Sequence, residues 1–89
     1  MANTYNTVTV GTAAVKVIAA NNWRRGFNVY NAGGATCYVG FDSSVTTSNG
    51  TPVLVNDSYA DNGYQNYQGD VYMISGSSGQ DIRYLEWTK

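Results

Sequence analysis

The chain has 89 residues, a formal net charge of −1 and 12% charged side chains, against roughly 25% in an average domain. One cysteine and no histidine exclude an internal disulfide and the usual zinc site. Five cations with nothing denser than one adjacent pair exclude an extended phosphate-binding surface, and with it nucleic acid as a partner.

In chain order the signals are those of short extended segments. The opening "MANTYNTVTV" has no basic start ahead of an apolar core, so no signal peptide is expected and the mature protein is expected to begin where the gene does, in a cytoplasm. Within it "TVTV" (7–10) alternates, and "VKVIA" (15–19) alternates again past a turn at Gly11. The longest apolar stretch, "AAVKVIAA", is short and interrupted by Lys16, which excludes a membrane span. "GFNVYN" (26–31) puts Phe27 and Val29 on one face and Asn28 and Tyr30 on the other. Arg24 and Arg25 precede it, at the mouth of what reads as a hairpin, and strict alternation lets at most one of them share the face of Phe27. "TCYVGF" (36–41) sets Cys37, Val39 and Phe41 against Tyr38 and Gly40, and "TPVLV" (51–55) opens on a proline, a residue tolerated at strand starts and edges. "YADNGYQNYQGDVY" (59–72) reads as a tyrosine-rich loop running into "DVYMIS" (70–75), and "QDIRYLEW" (80–87) closes the set.

Turn clusters "NAGGA", "DSSVTTSNG", "NGYQNYQG" and "SGSSGQ" separate these runs, and no stretch of a dozen residues holds a 3.6-residue period. The pattern predicts one all-β domain over 1–89, a small antiparallel β-sandwich or jelly-roll-like barrel of about seven strands. Its expected core is Val8, Val10, Val15, Val17, Phe27, Val29, Val39, Phe41, Val53, Val55, Val71, Met73, Ile82 and Tyr84, with Leu85 and Trp87 on the opposite face of the last strand. A domain this small buries only roughly 60% of its unfolded surface. With neither disulfide nor metal to staple it, association with other chains is the stabiliser left.

For the arginine pair, one reading has a guanidinium fork closing the end of the sandwich on backbone carbonyls or on an acid such as Asp42 or Glu86. A second has it docking on an acidic or carbonyl-rich partner. The tyrosines Tyr59, Tyr64, Tyr67 and Tyr72 either fold over the end of the barrel or meet a partner protein, with a sugar platform as a third role. Asp57, Asp61, Asn62 and Asp70 miss the alternate-position spacing of a calcium loop and read as turn formers, so no metal and no cofactor is expected. Without histidine, and with Cys37 placed in a strand away from any base, the chain is not expected to be an enzyme.

The segments "VTVGTAAVKVIAANNWRRGFNVYN", "CYVGFDSSVTTSNGTPV" and "GDVYMISGSSGQDIRYLEW" resemble a group of small structural proteins of tailed bacteriophages, most closely head decoration, or cement, proteins. The resemblance runs from about Val8 to Trp87. It is carried by Arg24-Arg25-Gly26 leading to Asn31, by Tyr38-Val39-Gly40-Phe41, by the turn over 46–50 and by Leu85-Glu86-Trp87, while residues 56–69 fall outside the pattern. Similar modules also occur in tail and fibre proteins. The resemblance implies a β-sandwich on the outer face of an icosahedral shell, a homotrimer near local three-fold axes that clamps neighbouring major capsid proteins. Trp23, Arg24, Arg25, Tyr59, Tyr64, Tyr67 and Trp87 are the candidate capsid or subunit interface. A carbohydrate-binding tail, fibre or host-attachment module is the alternative.

Overall fold

In a computed structural model of the chain, which describes residues 2–61 and 67–89, eight strands form two antiparallel four-stranded sheets. In chain order they are β1 (Ala2–Val10), β2 (Val15–Ile18), β3 (Arg24–Asn31), β4 (Cys37–Gly40), β5 (Thr51–Val53), β6 (Ser58–Asp61), β7 (Val71–Ser75) and β8 (Gln80–Thr88). One sheet runs β1-β8-β3-β6 and the other β2-β7-β4-β5. The order has a simple origin. β1 pairs with β8, β2 with β7, β3 with β6 and β4 with β5, as in one long folded ribbon; rolling that ribbon adds the β3·β8 and β4·β7 pairings. This is the rolled two-sheet arrangement of a jelly roll.

Only β4 and β5 are neighbours in both chain and sheet, so the hairpin expected at the arginine pair is corrected. The turn at Gly11 carries the chain from one sheet to the other, with the Gly11 carbonyl accepting the Ser75 amide at 2.8 Å. The arginine pair likewise opens β3, which does not pair with β4. Alternation marks a residue's face; it does not name the strand's partner.

Val10, Val17, Ile18, Phe27, Val29, Cys37, Val39, Val53, Val71, Met73 and Ile82 form the core between the sheets, with Val8, Val15, Tyr59, Tyr67 and Tyr84 packed half-buried against it. Each fully buried Val, Phe, Met or Ile contributes about 1.5–3 kcal/mol. Two expected core residues lie outside: Phe41 is 44% exposed and Val55 40%. Both stand just past the last rung of their strands, since β4 ends at Gly40 and β5 at Val53, and beyond the ladder the alternation has no sheet to refer to. After β5 the chain turns through Asn56, which has positive φ (64°), with the Asp57 amide donating to Leu54 O. Val45, in the turn cluster after β4, is buried instead.

Two bulges at one end of the sandwich set the later geometry. In β2 the register slips between Lys16 and Ile18, leaving Val17 and Ile18 both buried. In β3 it slips between Arg24 and Gly26, making Arg25 the extra residue. The inserted residue inverts the parity that Phe27 would otherwise dictate: Arg24 turns inward and Arg25 outward. Directly after the bulge, Gly26 lies under the Trp87 indole, where a Cβ would come within 2.3 Å of the ring and 2.6 Å of the Asp61 carbonyl. The ring and the backbone have little room to yield. Gly26→Ala is expected to destabilise the fold by about 1–3 kcal/mol through this overpacking, read as a lower urea midpoint at unchanged slope.

The candidate docking end of the sandwich

Arg24 is fully buried. Its Nε donates to Glu86 Oε2 at 2.8 Å, Nη1 to the Gly69 carbonyl at 2.7 Å and to the Tyr67 carbonyl at 3.3 Å, and Nη2 to the Ala19 carbonyl at 2.6 Å. The guanidinium carbon lies 5.6 Å from the Phe27 ring centroid. One side chain thus ties the end of β2, the start of β3, the interior strand β8 and the segment entering β7. The structure realises the reading in which a fork closes the sandwich, with Glu86 as the acid. Asp42 is engaged elsewhere, accepting from the amide and hydroxyl of Ser44, which hold its carboxyl below the usual range. Fully enclosed in its own domain, the Arg24 guanidinium is removed from the set of groups that a partner can touch.

The tyrosines divide in the same way. Tyr67 lies half-buried over the end of the sandwich, its hydroxyl donating to the Asp70 carbonyl at 2.5 Å and its ring stacked on Phe41 at 4.1 Å. Burial, followed by the nearby Asp70 charge, raises its phenol above the ordinary value. Tyr59 joins the same ring cluster, 6.5 Å from Phe41 and 6.2 Å from Phe27. Its strand, β6, corrects the loop expected from residue 59 onward. Tyr72 is half-buried within β7, and Tyr64 and Asn62 lie outside the described residues. Trp87 is half-buried on the outer face of β8, across Gly26.

The acids Asp57, Asp61 and Asp70 serve the backbone. Asp57 Oδ1 accepts the Ser58 amide, Asp61 Oδ2 the Tyr67 amide, and Asp70 Oδ1 the Ala20 amide, with Lys16 Nζ 3.6 Å from Asp70 Oδ2. Cys37 is buried in β4, and burial raises its thiol above the ordinary value.

Trp23 and Arg25 remain on the surface and come together. With Asn22, Gln68 and Lys89 they line a cleft of about 260 Å³. Trp23 is 64% exposed, and Lys89 Nζ stands 6.0 Å from its ring centroid. The walls are pinned by main-chain bonds: Trp23 N to Asn21 Oδ1, Asn21 N to Gln68 O, Lys89 N to Trp23 O, and Gln68 Nε2 to the carbonyls of Asn22 and Arg24. Lys89 and Gln68 were not among the candidates read from the sequence. Lys89 joins the cleft only because β8 lies beside β3, a pairing that no local pattern encodes. Of the five side-chain cations, Lys16, Arg24 and Arg83 face acids. Arg25 and Lys89 have no ion-pair partner among the described residues, and both line this cleft.

Comparison with protein-family models, with curated proteins and with solved structures finds no match.

Removing one member of a buried ion pair strands the other. Arg24→Ala is expected to cost about 3–5 kcal/mol, and Glu86→Gln, which keeps the shape and an acceptor oxygen but leaves the buried guanidinium without its countercharge, about 3–5 kcal/mol as well. Urea unfolding of the two variants beside the parent checks the size of both losses.

Proposed function

We propose that this domain is a non-catalytic structural module of a tailed-phage virion, a decoration protein that binds the outer face of the icosahedral shell and stabilises contacts between major capsid proteins. The observation that carries the proposal is the make-up of the β2–β3 end: an exposed tryptophan, an exposed phenylalanine and two cations without acid partners among the described residues, set on a frame made rigid by Arg24. Aromatic and arginine side chains on a fixed backbone are the groups that dominate protein–protein contacts.

The edges of the sheets support a domain completed by neighbours. The β2·β7·β4·β5 sheet carries Lys16 on one edge strand and Pro52 on the other, both blocks to stray pairing. The β1·β8·β3·β6 sheet has no Lys or Pro on either edge strand, and residues 2–7 of β1 are all exposed. Such edges suit a homotrimer or a seat against the shell. Jelly rolls occur in capsid and lectin domains alike, so the fold is compatible with the role without selecting it.

The same exposed tryptophan favours, as the second reading, a tail or fibre module that stacks a host sugar on Trp23. Shells prepared without decoration separate the two. On the first reading the purified protein binds them saturably, raises their dissociation temperature, and loses about tenfold or more in affinity with Trp23→Ala. If those shells neither bind the protein nor gain heat resistance, while host polysaccharide quenches Trp23 fluorescence, the sugar-binding module replaces it.

A further inference from the structure

We infer that the Trp23–Arg25–Lys89 cleft is a socket for a carboxylate side chain, an Asp or Glu on a loop of the protein surface on which the domain docks. The inference rests on the docking reading for the identity of the partner, and on the cleft itself for its chemistry.

The charge distribution makes the first argument. The chain is sparing with cations and neutralises three of the five on its own acids. The two left over come from residues 64 positions apart, 25 and 89, and the β3·β8 pairing brings them to one concavity. Both charges line one concavity, where an incoming carboxylate can pair with them. Arg25 offers a planar fork that matches a carboxylate, and Lys89 a compact charge.

The lining makes the second. Gln68 already spends its amide donors on the carbonyls of Asn22 and Arg24, so the charged donors in the lining are Arg25 and Lys89, beside the neutral Asn22. That favours an anionic group over a neutral polyol. The indole, 64% exposed, provides an apolar wall for the methylenes of the acid's stem. The space, about 260 Å³, lies below the roughly 300–1,000 Å³ of drug-sized pockets and suits one side chain or a single ring. Two cations are too few to follow a nucleic-acid backbone.

The geometry also places the socket firmly. Arg25 is the inserted residue of the β3 bulge, and its neighbour Arg24 is locked inside. Alternation splits the pair, and the bulge decides which guanidinium goes to the frame and which to the surface. Such a charged contact sets orientation and association rate and weakens with salt.

The test uses the whole chain and undecorated shells across about 0.05–0.5 M salt. Arg25→Glu and Lys89→Glu alter surface side chains, and unchanged circular dichroism and melting confirm that the fold is kept. The expected result is saturable binding by the parent that weakens about tenfold over the salt range, a further loss of about tenfold or more in each variant, and partial recovery with Arg25→Lys. Parent and charge-reversed variants that bind shells equally, with no salt dependence, overturn the socket and leave the decoration role standing. If even the parent ignores the shells, the docking reading fails by itself. The socket is then judged by Trp23 fluorescence, in a Trp87→Phe background, on titration with polyglutamate and with a polyuronate. Quenching by polyglutamate that Arg25→Glu abolishes supports it; response to the polyuronate alone, or to neither, overturns it.

Discussion

A guanidinium with no exposed surface has to be matched inside the protein, and the architecture of one end of this sandwich follows from how Arg24 is matched. Burying a charge costs several kcal/mol unless it is paired and its donors are filled. Glu86 supplies the countercharge, and the carbonyls of Ala19, Tyr67 and Gly69 take the remaining donors. Those four acceptors lie on three separate segments of the chain, so satisfying one side chain fixes the segments' mutual positions. Among the described residues no buried side-chain nitrogen or oxygen is left without a partner.

The opposite end is closed by neutral groups in the same manner. Asn31 donates to the carbonyls of Ala35 and Val53 and accepts the Gly33 amide, while Gln80 accepts the amides of Gly34 and Ala35 and donates to Ser78. The rolled ribbon is therefore an apolar core between two polar knots. At the Arg24 end an indole and two cations with no ion-pair partner among the described residues stand exposed on a backbone held from beneath.

The β class and most strand positions were legible because period-2 alternation survives in β3, β4, β7 and β8, where one face is buried. The strand β6 was not, since "SYAD" lies half-exposed at an edge and carries no apolar alternation. Partner strands were not legible either: the pairings that close the roll join segments tens of residues apart, and a corner between sheets and a hairpin turn use the same glycine-rich residues. The inward arginine ran against simple parity because the inserted residue at Arg25 has no signature in sequence. Asn31 and Gln80 escaped notice as interior residues, since polar side chains are placed outside unless their partners are known. For the proposed docking end, Trp23 and Arg25 could be named from the sequence, but the cleft could not, because Lys89 and Gln68 reach it only through the tertiary fold.

The dependence of this end on Arg24 is tested most directly by amide hydrogen exchange in the double variant Arg24→Met, Glu86→Leu, which removes the buried pair without stranding either charge. The account predicts that the amides of Ala20 and Asn21, which donate to Asp70 and Gln68, lose protection by an order of magnitude or more. Those of Asn31 and Asn56, bonded at the far end, should stay protected. Parental protection at Ala20 and Asn21, or an equal loss at both ends, would contradict it.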